Sequence, residues 1–199
     1  MIIAMCGRAG SGKDTSARII QELLEENHLV GKTLAFAGPL KRVCQEIVGS
    51  AFSIPPEHFV GSQDEKNSSL EDYGLPDWSG RKILQFIGTE GFRTIHPEVW
   101  PRLCIANAKQ LLHAGAHGVI ITDCRFLSEE QMVHDAGGVV IRTHRSKVED
   151  DFQGIQGHQS ELEIAKLKTD FELDNNGTLE ELRDQLIDIM DQLDWLQPW

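Results

Sequence analysis

The chain has 199 residues, enough for one domain with a real hydrophobic core. Its formal net charge of −12 argues against a nonspecific polyanion binder, which would carry a basic face. No apolar run approaches a membrane span, and the N-terminus lacks the pattern of a secretory signal. These totals point to a cytoplasmic protein that binds neither membrane nor nucleic acid. Cys6, Cys44, Cys104 and Cys124 form no C-x-x-C pair and no metal spacing, so reduced, mostly buried thiols are expected.

The apolar run 1–6 reads as a strand and leads into Gly7-Arg8-Ala9-Gly10-Ser11-Gly12-Lys13-Asp14-Thr15. Strand, glycine-rich turn and helix start make a nest of backbone N–H groups that suits phosphate. Lys13 can reach the outer phosphates of a nucleoside triphosphate. The usual motif ends Gly-Lys-Ser/Thr, with the hydroxyl on magnesium. Here Asp14 follows the lysine and the hydroxyl arrives one residue later, at Thr15.

Ala17, Ile20, Leu23 and Leu24 recur at helical spacing, and 33–37 reads as a short strand. Gly38-Pro39-Leu40-Lys41-Arg42 opens a helix, with Pro39 suited to its first turn. Residues 49–80 show no long period and read as an irregular insertion with short helices. Helical patterns return over 81–94 and 99–113, broken at Pro97. Gly118 to Asp123 has the pattern of a buried parallel strand ending in a carboxylate. Ser128 with Gln131 suggests a capping box, and Gly137 to Ile141 is another buried strand. Residues 143–160 read as a flexible excursion, and 171–173 as a short edge strand. Thr178 with Glu181 is a capping box for a final helix striped by Leu179, Leu182, Leu186, Ile189, Met190 and Leu193.

Basic residues follow the strands: Arg8 in the loop, Lys41 and Arg42 after the second strand, Arg125 after the strand ending at Asp123. Arg81 and Arg93 flank a central helix. Residues past the carboxyl ends of parallel strands converge on a ligand crevice, so Lys13, Lys41 and Arg125 are expected to meet there. Asp123 stands where phosphate-loop enzymes keep a magnesium-linked carboxylate, although a structural aspartate fits the same pattern. Trp100 and Phe86 suit either a core or a base-stacking role. His158 near Ser160 and Glu161 lacks the strained turn and oxyanion donors of a hydrolase.

Taken in order, Gly10-Ser-Gly-Lys-Asp-Thr15, Gly38-Pro-Leu-Lys41, Arg81-Lys-Ile-Leu-Gln-Phe-Ile-Gly-Thr-Glu90, Trp100, Asp123-Cys-Arg-Phe126 with Glu129, Gly137-Gly138, His158-Gln-Ser-Glu161 and Asn175-Asn-Gly-Thr-Leu179 resemble the deoxynucleoside monophosphate kinases of the bacteriophage type. The Lys-Asp-Thr ending is what that family carries. The resemblance implies an α/β, three-layer P-loop NTPase fold of the nucleoside monophosphate kinase kind, with a mostly parallel five-stranded sheet and helices on both faces. It implies a single domain over 1–199, a substrate-binding insertion at about 49–113 and a lid at about 143–160. ATP and Mg2+ are the implied cofactors, a deoxynucleoside monophosphate the small-molecule partner, and the host-cell cytoplasm the location if the source is a phage.

Residue by residue, Gly10, Ser11, Gly12, Lys13, Asp14 and Thr15 would hold the ATP phosphates, with Asp14 and Thr15 nearest the metal. Arg145 belongs to the lid and Asn175 lies by the adenine. Lys41, Arg81, Gln85, Gly88, Thr89, Trp100, Asp123, Arg125 and Glu129 match the monophosphate site, with Lys13, Asp123 and Arg125 as the catalytic set. A phosphomevalonate kinase-like enzyme shares the Ser-Gly-Lys-Asp and Gly-Pro-Leu-Lys pieces, and a regulatory nucleotide-binding protein is a third reading. The apolar stripe near Trp195 and Trp199 offers a surface for a homodimer.

Overall fold

The apolar run that opens the chain becomes the central strand of a parallel sheet. The computed structural model describes residues 1–8, 10–146 and 163–196. In chain order the strands are β1 (Ile2–Cys6), β2 (Gly31–Leu34), β3 (Ser69–Leu70), β4 (Leu75–Ser79), β5 (Gly118–Cys124), β6 (Val139–His144) and β7 (Phe171–Asp174). The principal helices are α1 (Lys13–Glu26), α2 (Gly38–Cys44), α3 (Glu57–Val60), α4 (Gln63–Asn67), α5 (Gly80–Gln85), α6 (Val99–His113), α7 (Leu127–Asp135) and α8 (Leu179–Gln192). They fall into two compact units, one of Met1–Phe36 with Cys104–Trp199, the other of Ala37–Leu103.

The first unit holds a five-stranded sheet in the order β2-β5-β1-β6-β7, with every pairing parallel. Parallel sheets need both faces covered, and the alternation along β1 supplies both covers. Ile3 and Met5 join Ile20, Leu24, Leu182 and Leu186 in a core beneath α1 and α8. Ile2, Ala4 and Cys6 join Cys104, Ala108 and Val133 in a core beneath α6 and α7. Because β1 lies between β5 and β6, a crevice opens at its carboxyl end, where the glycine loop begins.

The second unit packs Cys44, Ile54, Phe59, Leu70 and Ile83 into a smaller core of its own. It carries the antiparallel hairpin β3–β4 and two π-helical segments, Gln45–Gly49 and Phe86–Phe92. Its helices α3 and α4 have only 4 and 5 residues, too short to write a 3.6-residue period into the sequence. The unit runs from Ala37 to Leu103, and α2 packs on α5 within it.

Other local expectations shift for identifiable reasons. The second strand is Gly31–Leu34, and Phe36 beyond it is buried with its N–H donating to Asp123 Oδ1 at 2.6 Å. At α7 the sequence pair Ser128/Gln131 is not the cap. Glu129 instead reaches back to the amides of Arg125 and Phe126. The Thr178/Glu181 capping box of α8 is present in both directions, at 2.7 and 3.2 Å. Trp195 is buried against the core and beside Gly118, not offered to a second copy, and Trp199 lies outside the described residues.

All four cysteines are buried thiols. Burial pushes the Cys6 and Cys44 thiols up to about 11 and Cys124 well above its ordinary value, so these are packing groups and not nucleophiles. No helix among the described residues is long and apolar enough to cross a membrane.

Leu186 is fully buried in the α1–α8 core. Leu186→Ala should lower the unfolding free energy by about 2–5 kcal/mol in a urea titration, because the cavity can collapse only in part.

Candidate functional site

The loop leaves β1 at Gly7, and α1 begins at Lys13, so its first backbone N–H groups face the crevice. Gly12, the residue before α1, has φ +102°, which L side chains rarely adopt. A methyl group there would also collide with the Asn175 amide nitrogen. Asn175 closes the loop from the far end of the chain: its Nδ2 donates to Ser11 O at 2.8 Å, and its own N–H donates to His144 O at 2.8 Å. Arg8 O accepts the Ser11 amide at 3.1 Å and the Lys13 ammonium at 3.2 Å.

These elements enclose a pocket of about 340 Å³ lined by Gly10, Gly12, Lys13, Asp14, Thr15 and Arg145 on one part, with Asn175, Gly177 and Leu179 on the other. That size is within the usual range for small-molecule sites. Of the residues expected at the triphosphate, only Ser11 does not line it. Its hydroxyl is 2% exposed and turned into the protein. Lys13 is 6% exposed, its stem buried and its head at the pocket. The rest of the expected lid, 147–160, and the His158 to Glu161 piece lie outside the described residues.

At the exit of β5 lie Asp123, Arg125 and, on α7, Glu129. Asp123 ties the end of β2 to the end of β5 through the Phe36 amide. Glu129, at 3% exposure, accepts from Arg125 N at 2.8 Å and Phe126 N at 3.2 Å, so its carboxylate positions the backbone under Arg125. Arg125 itself is half-buried. Lys13, Asp123 and Arg125 belong to the first unit and Lys41 to the second.

In the second unit, Arg81 enters on the first turn of α5. Gly80 before it runs against the backbone carbonyl of His58, where any Cβ would clash. The Arg81 guanidinium donates to Gln63 Oε1 on α4. One turn along α4, Lys66 is half-buried. Its ammonium is held below the ordinary lysine value, first by burial, then by the positive charges of Lys41 and Arg81. Three cations from α2, α4 and α5 thus share one small region, an arrangement that an anion would relieve. Lys66 was not expected from the sequence. It sits in an aperiodic acidic stretch, and its only signal was a positive charge among Asp64 and Glu65.

Gln85 and Thr89 are exposed along the segment after Arg81, whereas Gly88 is buried against Leu40. Trp100 is 4% exposed, donates from Nε1 to Gly88 O at 3.1 Å and tilts on Phe92 at 5.1 Å. It braces the π-helical segment that carries Gly88 and Thr89.

A glycine loop at the carboxyl end of the central strand of a parallel sheet, with a helix N-terminus behind it, defines the fold class of the P-loop kinases. Shikimate kinase from Aquifex aeolicus shares this fold with a TM-score of 0.50, at 14% identity over 98% of each chain. Within that class the chain belongs to the deoxynucleotide monophosphate kinase family, whose family model matches residues 57–186. That match begins beyond the glycine loop, so loop and family are independent signals. A relative from Acanthamoeba polyphaga mimivirus, which bears the name of a deoxynucleotide monophosphate kinase, is 30% identical over 96% of both chains.

Gly12→Ala should weaken ATP binding at least tenfold by calorimetry while far-ultraviolet circular dichroism stays unchanged. The substitution distorts only the loop and its Asn175 brace.

Proposed function

We propose that the protein transfers the γ-phosphoryl group of ATP to a deoxynucleoside monophosphate, giving ADP and the deoxynucleoside diphosphate. The observation that carries this reading is the pocket in which the loop, Lys13, Arg145 and Asn175 converge, in a chain of this family. The alternatives of a phosphomevalonate kinase-like enzyme and of a regulatory nucleotide-binding protein have no observation in their favour.

In this reading the donor triphosphate lies over the N-terminus of α1, where backbone N–H groups and Lys13 bind the β- and γ-phosphates. Arg145 adds positive charge towards the phosphates, and the Asn175–Leu179 rim holds the nucleoside end. Lys41, Lys66 and Arg81 bind the acceptor phosphate, and Gln85 and Thr89 contribute from the adjoining segment. An oxygen of the acceptor phosphate forms the new bond to the γ-phosphorus as the bond to the β–γ bridging oxygen breaks, leaving ADP. That oxygen is already anionic at neutral pH, so no general base is required. Arg125 supplies positive charge beside the β5 exit, with Glu129 fixing its backbone.

The oxygen donors at the loop suit a hard cation. Thr15 and Asp14 line the pocket, while no cluster of three or more His, Cys, Asp or Glu among the described residues could hold a metal alone. Thr15 and Asp14 would therefore hold Mg2+ together with phosphate oxygens, and the ion would neutralise charge developing on them.

A coupled ADP assay across deoxy- and ribonucleoside monophosphates, with phosphomevalonate alongside, tests the reaction. Turnover with deoxynucleoside monophosphates is expected, and its absence with all of them overturns the reading. In the same assay Lys13→Ala should remove at least 99% of turnover, about 3 kcal/mol of transition-state stabilisation, with thermal unfolding unchanged.

Lys66→Ala should raise the acceptor KM about tenfold and leave the ATP KM alone. Since the Lys66 ammonium is held below its ordinary value, it loses its proton, and its hold on an anion, at a lower pH than a free lysine would. The kcat/KM for the acceptor should therefore fall on an alkaline limb. Lys66→Arg should abolish that limb, because guanidinium does not titrate there.

A further inference from the structure

Asp14 puts a carboxylate into a pocket otherwise suited to phosphate. It lines the same space as Lys13 and Arg145, it is exposed, and it makes no hydrogen bond or ion pair among the described residues. Its position in the first turn of α1 gives it a small favourable interaction with the helix dipole, which a carboxylate on any exposed first-turn position would share. That benefit does not require the side chain to border the pocket. Towards a bare triphosphate it is a liability, since it cancels part of the attraction that Lys13, Arg145 and the helix N-terminus provide.

The sign of this effect depends on what the ligand carries. Repulsion between a fixed carboxylate and a polyphosphate grows with the ligand's negative charge, and a divalent cation removes two of those charges. The cation also supplies a positive centre that the carboxylate attracts, directly or through a bound water. No cluster of three or more His, Cys, Asp or Glu among the described residues could hold a cation alone, so the cation comes with the phosphates and not ahead of them. We propose that Asp14 makes the donor pocket selective for metal-complexed nucleoside triphosphates and rejects metal-free polyanions. Thr15, beside it, adds a hydroxyl for the same cation, so the Lys-Asp-Thr order sets a neutral ligand next to a charged one.

This inference rests on the reading of the pocket as the ATP site, and the test separates the two. ATP binding to the full chain is measured by calorimetry at about 0.1 M salt, with excess Mg2+ and with EDTA, for the unmodified protein and for Asp14→Asn, Asp14→Ser and Asp14→Glu. Thermal unfolding and circular dichroism check that each variant folds. The quantity read is the ratio of the metal-free Kd to the Mg2+ Kd.

That ratio should fall about tenfold in both neutral variants and stay near the original in Asp14→Glu. Inorganic triphosphate in EDTA should bind more tightly to Asp14→Asn than to the unmodified protein. A ratio within about threefold of the original in both neutral variants overturns the proposal while leaving the ATP site standing. If the unmodified protein binds ATP under neither condition, the ATP-site reading falls and the proposal with it.

Discussion

One hydrogen bond holds the donor loop in its working shape: the Asn175 amide to the Ser11 carbonyl, at 2.8 Å. A phosphate nest needs its N–H groups turned outward, which obliges the carbonyls to turn inward and find partners. Asn175 meets one of those carbonyls from the loop after β7, 164 residues along the chain. It reaches that position because β7 pairs with β6 and β6 pairs with β1, so both loops emerge at the same end of the sheet. The contact also explains why residue 12 is glycine, since the space for its side chain belongs to Asn175. Asn176 extends the brace by accepting the Ser146 amide at 2.8 Å, which ties the backbone after Arg145 to the same loop.

A chain of net charge −12 binds anions only if its cations are concentrated. In the first unit Lys13 and Arg145 border one pocket. In the second, burial first and then the charges of Lys41 and Arg81 lower the Lys66 ammonium. Like charges held together cost stability when no anion is present, and the capping box of α4, from Ser62 to Glu65, helps to keep the helix that carries Lys66 in place. Asp14 works in the opposite direction at the donor loop. Affinity there is set by the balance of a helix terminus, two cations and one carboxylate.

The parts of the site that were legible in the sequence are those built from contiguous residues. The loop could be read because strand, glycines, lysine and helix follow one another, and the inner strands β5, β1 and β6 because both-sided burial gives each an apolar run. Roles set by packing were harder to read. Glu129 and Trp100 match acceptor-site positions; both are buried, with Glu129 Oε2 accepting from the Arg125 and Phe126 amides and Trp100 Nε1 donating to Gly88 O. Lys66 gave no signal because helices of 4 and 5 residues leave no period, so nothing showed which side of the chain it would face.

The sequence by itself determined the class of sheet, the position of the phosphate loop and the residue types that can meet a triphosphate. These follow from local order, and local order needs no knowledge of the rest of the chain. Only the tertiary structure decided which side chains stand in the pocket and which support it from behind. Strand order brings Asn175 to Ser11, the close approach of Gly80 to His58 sets Arg81 beside α4, and burial together with neighbours on two other helices lowers the Lys66 ammonium. Each of these is a packing outcome, fixed by which surfaces bury one another and not by the order of residues along the chain.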